Sequence, residues 1–109
     1  MRRVILESPY AGDVLRNLAY ARACMLDSLG KGEAPMASHL LYTQVLDDSD
    51  PAERGQGIAA GLAWGAVADA TVVYLDRGVS SGMVLGIENA TSAGRPVVYR
   101  RLGGGWSTE

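Results

Sequence analysis

Thr71-Val72-Val73-Tyr74-Leu75-Asp76-Arg77-Gly78-Val79-Ser80-Ser81-Gly82-Met83-Val84-Leu85-Gly86-Ile87-Glu88-Asn89-Ala90 is the stretch on which the reading of this chain turns. Thr71 to Leu75 is an apolar, largely β-branched run of strand length, and it predicts a buried strand. Asp76 breaks it, a Gly/Ser turn follows, and a helix is expected from about Ser81 to Ala93. A strand that breaks and then opens a helix through such a turn leaves backbone N–H groups over the end of a sheet. Open α/β proteins bind anions and nucleotides there.

Working outward, Gly94-Arg95-Pro96 reads as a return turn and Val97-Val98-Tyr99-Arg100 as a last strand. Upstream, Asp50 as N-cap, Pro51 at the first helical position and Glu53 at the third predict a helix from Pro51 to about Val67. Its expected apolar face is Ile58, Leu62, Ala66 and Val67, with Gly57, Gly61 and Gly65 on a different stripe. Each glycine costs roughly 1 kcal/mol against Ala in a helix interior, so three in register need a reason. Tight packing on the sheet is the plainer one, and a contact between two subunits beside Trp64 the sharper one.

At the start of the chain, Arg3 to Glu7 predicts a central strand stopped by Ser8-Pro9-Tyr10. Asp13 is positioned to cap a helix carried by Val14, Leu18, Ala21, Met25, Leu26 and Leu29 and closed by Gly30 and Gly32. A short strand near Pro35 to Ala37 follows, weakened by Pro35. Then comes a loop ending in Asp47-Asp48-Ser49-Asp50-Pro51. Strands alternating with helices predict an α/β fold, a small flavodoxin-like parallel sheet with helices on both faces. Right-handed crossovers give the strand order 2-1-3-4. A ligand crevice is expected between the first and third strands. Residues 1–102 would form one domain and 103–109, with Gly103-Gly104-Gly105-Trp106, a flexible tail.

Composition narrows the function. A net charge of -2 in 109 residues gives no basic face for nucleic acid. No run is long enough to span a membrane, and the single Cys24 fits a reducing cytoplasm. No cofactor is implied. His39 has no second His beside it, which speaks against a metal.

Four groups converge on the expected crevice. Ser8, Pro9 and Tyr10 with Asp13 and Asn17 form the first, where Tyr10 can stack on a flat ring and Asn17 can bond a sugar or phosphate. Against that stands the plain reading of Asp13 as a helix cap. His39, with Ser38, Tyr42 and Gln44, forms the second, either a structural imidazole or a functional one placed just past a strand. Asp47, Asp48, Asp50, Glu53 and Arg54 form the third: paired carboxylates of a kind that can do acid–base work or hold a metal, against the plainer reading of caps and dipole partners, with Arg54 able to reach an anion. Asp76, Ser80, Ser81, Gly82 and Met83 form the fourth, suited to a phosphate or ribose hydroxyl.

Ser8-Pro9-Tyr10 followed by Asn17, Pro35 through Ser38-His39-Leu40, Glu53-Arg54, and Ser80-x-Gly82-Met83 with Ala90 and Gly94-Arg95-Pro96-Val97 together resemble the nucleoside 2-deoxyribosyltransferase-like family. The likeness is greatest to its small phage and bacterial members, and covers nearly the whole chain. It implies a flavodoxin-like sheet, exchange or hydrolysis of an N-glycosidic bond, and an oligomer. In the family a glutamate on the helix after the Gly loop attacks the sugar, and a loop serine holds phosphate. The serine's role carries over to Ser80 and Ser81.

The glutamate's position is Gly86 here. Glu88 lies two residues on, a rotation of about 200° along a helix. The expectation is therefore a binder of a nucleoside- or nucleotide-like ligand with lost or weak catalysis. One alternative is an active N-glycosidase or deoxyribosyltransferase using Glu88, with Asp76 or His39 assisting. The other is a homo-oligomeric structural or interaction protein, a homodimer or higher.

Overall fold

The computed structural model describes residues 1–106. Four strands, β1 (Arg2–Glu7), β2 (Glu33–Met36), β3 (Ala70–Tyr74) and β4 (Val97–Arg100), form one parallel sheet in the order β2-β1-β3-β4. Helix α1 (Val14–Gly30) joins β1 to β2. The next crossover holds the short α2 (Ser38–Leu41), a 3-10 turn (Tyr42–Gln44) and α3 (Pro51–Gly65), and α4 (Ser81–Ser92) joins β3 to β4. The α/β class and strand order match the sequence expectation. The α2 turn and the 3-10 turn lie where a loop was expected. Segments of four and three residues are too short to show a helical period.

Side chains alternate across the strands. Val4 and Leu6 of β1, with Val72 and Tyr74 of β3, are buried in the cluster that holds Tyr20 and Cys24 of α1. Ile5 and Glu7 therefore turn to the other face, which α3 and α4 cover; Ile5 pairs with Met36 of β2 and Glu7 with Val73 of β3. Burial pushes the Cys24 thiol up to about 12, so Cys24 is packing rather than chemistry.

Helix α1 does not present the expected stripe. Its buried residues are Asn17, Tyr20, Ala21, Cys24 and Ser28, while Leu26 is exposed. Polar partners on the sheet side explain this. Tyr20 Oη donates to Asp76 Oδ1 at 2.7 Å, and Ser28 Oγ to Glu33 Oε1 at 2.7 Å. Glu33 also takes both terminal nitrogens of Arg100, at 2.7 and 2.6 Å, and Arg100 contacts Tyr74 Oη at 3.2 Å.

The expected tail is docked as far as it is described. Trp106 lies 5.4 Å from the Tyr20 ring, Arg16 stacks 5.0 Å above it, and Arg16 Nη2 donates to the Gly105 carbonyl at 2.8 Å. Asp76 accepts from the Leu102 and Gly103 N–H groups at 2.8 and 2.9 Å. Residues 107–109 lie outside the described part.

Candidate functional site

Chain order reverses between β1 and β3. At their carboxyl ends, roofed by the first turn of α4 and walled by α2 and α3, lies a cavity of about 140 Å³. Of the four groups singled out from sequence, it is lined by Ser8 and Tyr10, by Ser38, His39 and Tyr42, by Asp48, Glu53 and Arg54, and by Ser80, Ser81, Gly82 and Met83.

The first turn of α4 is held by its own chemistry. Ser80 is the N-cap; its Oγ accepts from the Met83 N–H at 3.3 Å, and its N–H contacts Met83 Sδ at 3.4 Å. The hydroxyl expected to hold phosphate thus serves as the cap. The Ser81 and Gly82 N–H groups have no carbonyl in reach within the helix, and both residues line the cavity. An anionic or hydroxyl oxygen is stabilised at such an end.

Across the cavity, Ser8 Oγ and His39 Nε2 share a hydrogen bond at 2.6 Å, with Ser8 almost wholly buried. Burial pulls His39 down to about 4, so the imidazole is neutral at pH 7. Arg54 pairs at 3.9 Å with Asp48 on the rim.

The other expected residues lie elsewhere. Pro9 is buried outside the lining. Asp13 is an exposed cap, accepting from the Arg16 N–H at 3.3 Å. Asn17 fastens the β1–α1 loop, donating to the Tyr10 and Ala11 carbonyls at 3.1 Å each and accepting from Arg77 Nε at 2.7 Å. Glu88 is exposed on α4 and does not line the cavity. Asp47 and Asp50 serve as local caps and turn partners, while Glu53, which does line the cavity, accepts from the Asp47 N–H at 3.0 Å.

Asp76 is also outside the cavity. Its carboxylate is held below the usual range: burial raises it, but the backbone donors of Leu102 and Gly103 and the Tyr20 hydroxyl outweigh that. Asp76→Asn puts an amide where charged acceptors stood. It is expected to lower stability by about 1–3 kcal/mol and to shift tryptophan emission to the red as Trp106 undocks. Unchanged emission would mean the clamp is not what docks the segment.

The glycine stripe is filled within the chain, and it lies on the same inward face as Ile58 and Leu62 rather than apart from them. A Cβ on Gly61 would meet Ser38 Oγ at 2.7 Å, one on Gly57 would touch Leu46, and one on Gly65 would meet Arg95 Nη2 at 2.9 Å. The room at Gly65 lets Arg95 thread between α3 and the sheet, donating to the Gly65 carbonyl at 2.8 Å and to Thr71 Oγ1 at 3.1 Å. Close packing thus accounts for the stripe, against α2 and Arg95 rather than the sheet surface. Trp64 donates to Tyr42 Oη at 2.8 Å.

Glu7 and Arg95 also line the cavity, although their sequence places suggested only a strand end and a turn. Glu7 is the last residue of β1 and faces the cavity from the helix-covered side. Burial pushes its carboxyl up to about 8, with Arg95 pulling the other way. The signal was present: a carboxylate ending an otherwise apolar strand, at the edge of the switch-point crevice.

Residues 2–100 match the family model of a domain of unknown function, DUF7768. The chain belongs to that family. This DUF7768 domain also shares its fold with the solved 2-deoxyribosyltransferase from the psychrotolerant bacterium Bacillus psychrosaccharolyticus. That match has a TM-score of 0.66 at 17% identity over 94% of this chain and 74% of the other. No curated protein matches the DUF7768 sequence. Among the described residues, no group of three or more His, Cys, Asp or Glu is placed to hold a metal, and no helix is long and apolar enough to cross a membrane.

Proposed function

We propose that the crevice binds a nucleoside- or nucleotide-like molecule. The observation that carries this is the cavity at the switch point between β1 and β3, closed on one side by the unsatisfied N–H groups at the start of α4. A sugar hydroxyl or a phosphate is suited to Ser81 and Gly82, and Tyr10 offers a ring for a base to stack on. The shared fold with a 2-deoxyribosyltransferase supports the same ligand class. With Gly86 where the nucleoside 2-deoxyribosyltransferase-like family carries its nucleophile, and Glu88 outside the cavity, binding is the function these residues support best.

Thermal shift across ribo- and deoxyribonucleosides and their 5′-monophosphates tests this. A ligand at 100 times its dissociation constant adds about 2.7 kcal/mol. In a domain of this size that moves the melting temperature by on the order of 10 °C. No shift with any member of the panel would overturn the proposal.

A further inference from the structure

Gly86 and Glu7 fit each other. A Cβ built on Gly86 would stand 2.5 Å from Glu7 Cδ and closer still to Oε2. Gly86 is buried in the middle of α4, where no turn or positive φ calls for glycine. Its absent side chain has one visible consequence: the Glu7 carboxylate occupies the space.

The other well-buried carboxylate among the described residues, Glu33, is bonded to Ser28 and Arg100. Asp76, too, is bonded by three donors. Glu7 makes no hydrogen bond among the described residues, although most of its surface is buried. A carboxylate kept for structure is given donors. One kept for a ligand is left facing the cavity, as Glu7 is. Burial, opposed by Arg95, leaves it poised near neutral pH.

We infer that Glu7 is the reacting carboxylate of this site, reaching the anomeric carbon of the bound sugar from β1 through the gap that Gly86 leaves in α4. This rests on the reading that the cavity binds a nucleoside-like ligand. The ionised carboxylate attacks the anomeric carbon. A bond forms from that carbon to a Glu7 carboxylate oxygen, and the bond to the base nitrogen breaks. The electron pair leaves with the base, which takes a proton from solvent. A water then attacks the same carbon, the ester bond breaks, and the carboxylate is restored. The proton that this water releases replaces the one the base took. The net reaction is nucleoside plus water to free base plus sugar. The helix position that the resembled transferases use is thus empty while the carboxylate arrives from the neighbouring strand.

The experiment uses the full chain, its Glu7→Gln and Glu88→Gln variants, and the four 2′-deoxynucleosides with their 5′-monophosphates. Binding is read by calorimetry and base release by chromatography. Any sugar adduct formed with a 2′-fluoro analogue is mapped by peptide mass. All three proteins are expected to bind alike. Base release should fall roughly 1,000-fold or more in Glu7→Gln, the scale lost when a nucleophile is removed from an otherwise intact site, and stay unchanged in Glu88→Gln. The adduct should sit on the peptide holding Glu7.

Wild-type protein that binds but releases no base overturns the inference and leaves the binding reading standing. So does release that survives in Glu7→Gln, release lost in Glu88→Gln, or Glu7-dependent release with no adduct at Glu7. No binding by the wild type removes the reading and the inference together.

Discussion

Glu7→Gln is expected to make the protein more stable at pH 9, by about 2–4 kcal/mol, and to leave it unchanged below pH 4.5. The carboxyl has its ordinary value of 4.5 in the unfolded chain and is raised to about 8 by burial in the folded one, less what Arg95 gives back. Between those values the folded protein holds more protons than the unfolded. By linkage, stability then falls as pH rises. The contribution is fully present below about 4.5 and lost by the time pH passes 8. Glutamine never ionises and escapes the loss. The gain is less than the full conversion of the shift because Glu7 is only partly buried.

His39 acts oppositely. Its folded value near 4 lies below the ordinary 6.5, so between them the unfolded chain holds more protons and stability rises with pH. The two slopes offset each other from about 4.5 to 6.5. The wild type should show a plateau there and decline above it, while Glu7→Gln should rise to about pH 6.5 and stay flat. Urea titrations across pH 4 to 9 measure this. A Gln variant that is equal to or weaker than the wild type at pH 9 would mean the carboxylate is satisfied in the fold, and would count against a chemical role.

Arg100→Leu should cost about 3–5 kcal/mol at pH 7, because it strands a buried carboxylate. Arg100 and Glu33 lie with side chains 16% and 7% exposed and meet in two bonds, at 2.7 and 2.6 Å. The Arg100 bonds hold Glu33 below the ordinary carboxylate range, against burial, with Ser28 helping. Remove the arginine and only the Ser28 hydroxyl remains. At a urea slope of 1–3 kcal/mol per molar, the midpoint should drop by roughly 2 M.

A depressed carboxyl contributes stability above its unfolded value and loses it as pH falls through the folded one. The difference between wild type and variant should therefore shrink toward pH 3. Glu33→Gln combined with Arg100→Leu should recover much of the loss, since the penalty lies in the unpaired charge. If the double variant is as weak as the single one, the pair matters for its packing and not its charge.

Much of the architecture was legible because local signals agreed. Asp50-Pro51 and Asp13 mark helix starts that the structure places where they were expected. The apolar runs ending at Glu7, Tyr74 and Arg100 became strands. Handedness of the crossovers did the rest. What escaped depends on partners in other elements of the fold. Asn17 and Ser28 turn inward on α1 because Arg77 and Glu33 meet them, 60 and 5 residues away. Trp106 leaves solvent because Tyr20 offers a ring.

Glu7 escaped for a similar reason. A charge at the end of a strand reads as a solvated boundary until α4 is packed over it with a glycine facing down. The position that looked like a loss, Gly86, acquires its meaning only from a residue 79 positions earlier.

The Ser8–His39 bond has a practical side. The chain carries one histidine, and it stands in the wall of the crevice. The imidazole resonances of this protein therefore belong to a single known place. Since His39 stays neutral from pH 6 upward, those signals should hold still in buffer alone. Any movement on adding a compound would then report an arrival in the crevice, without label or substitution.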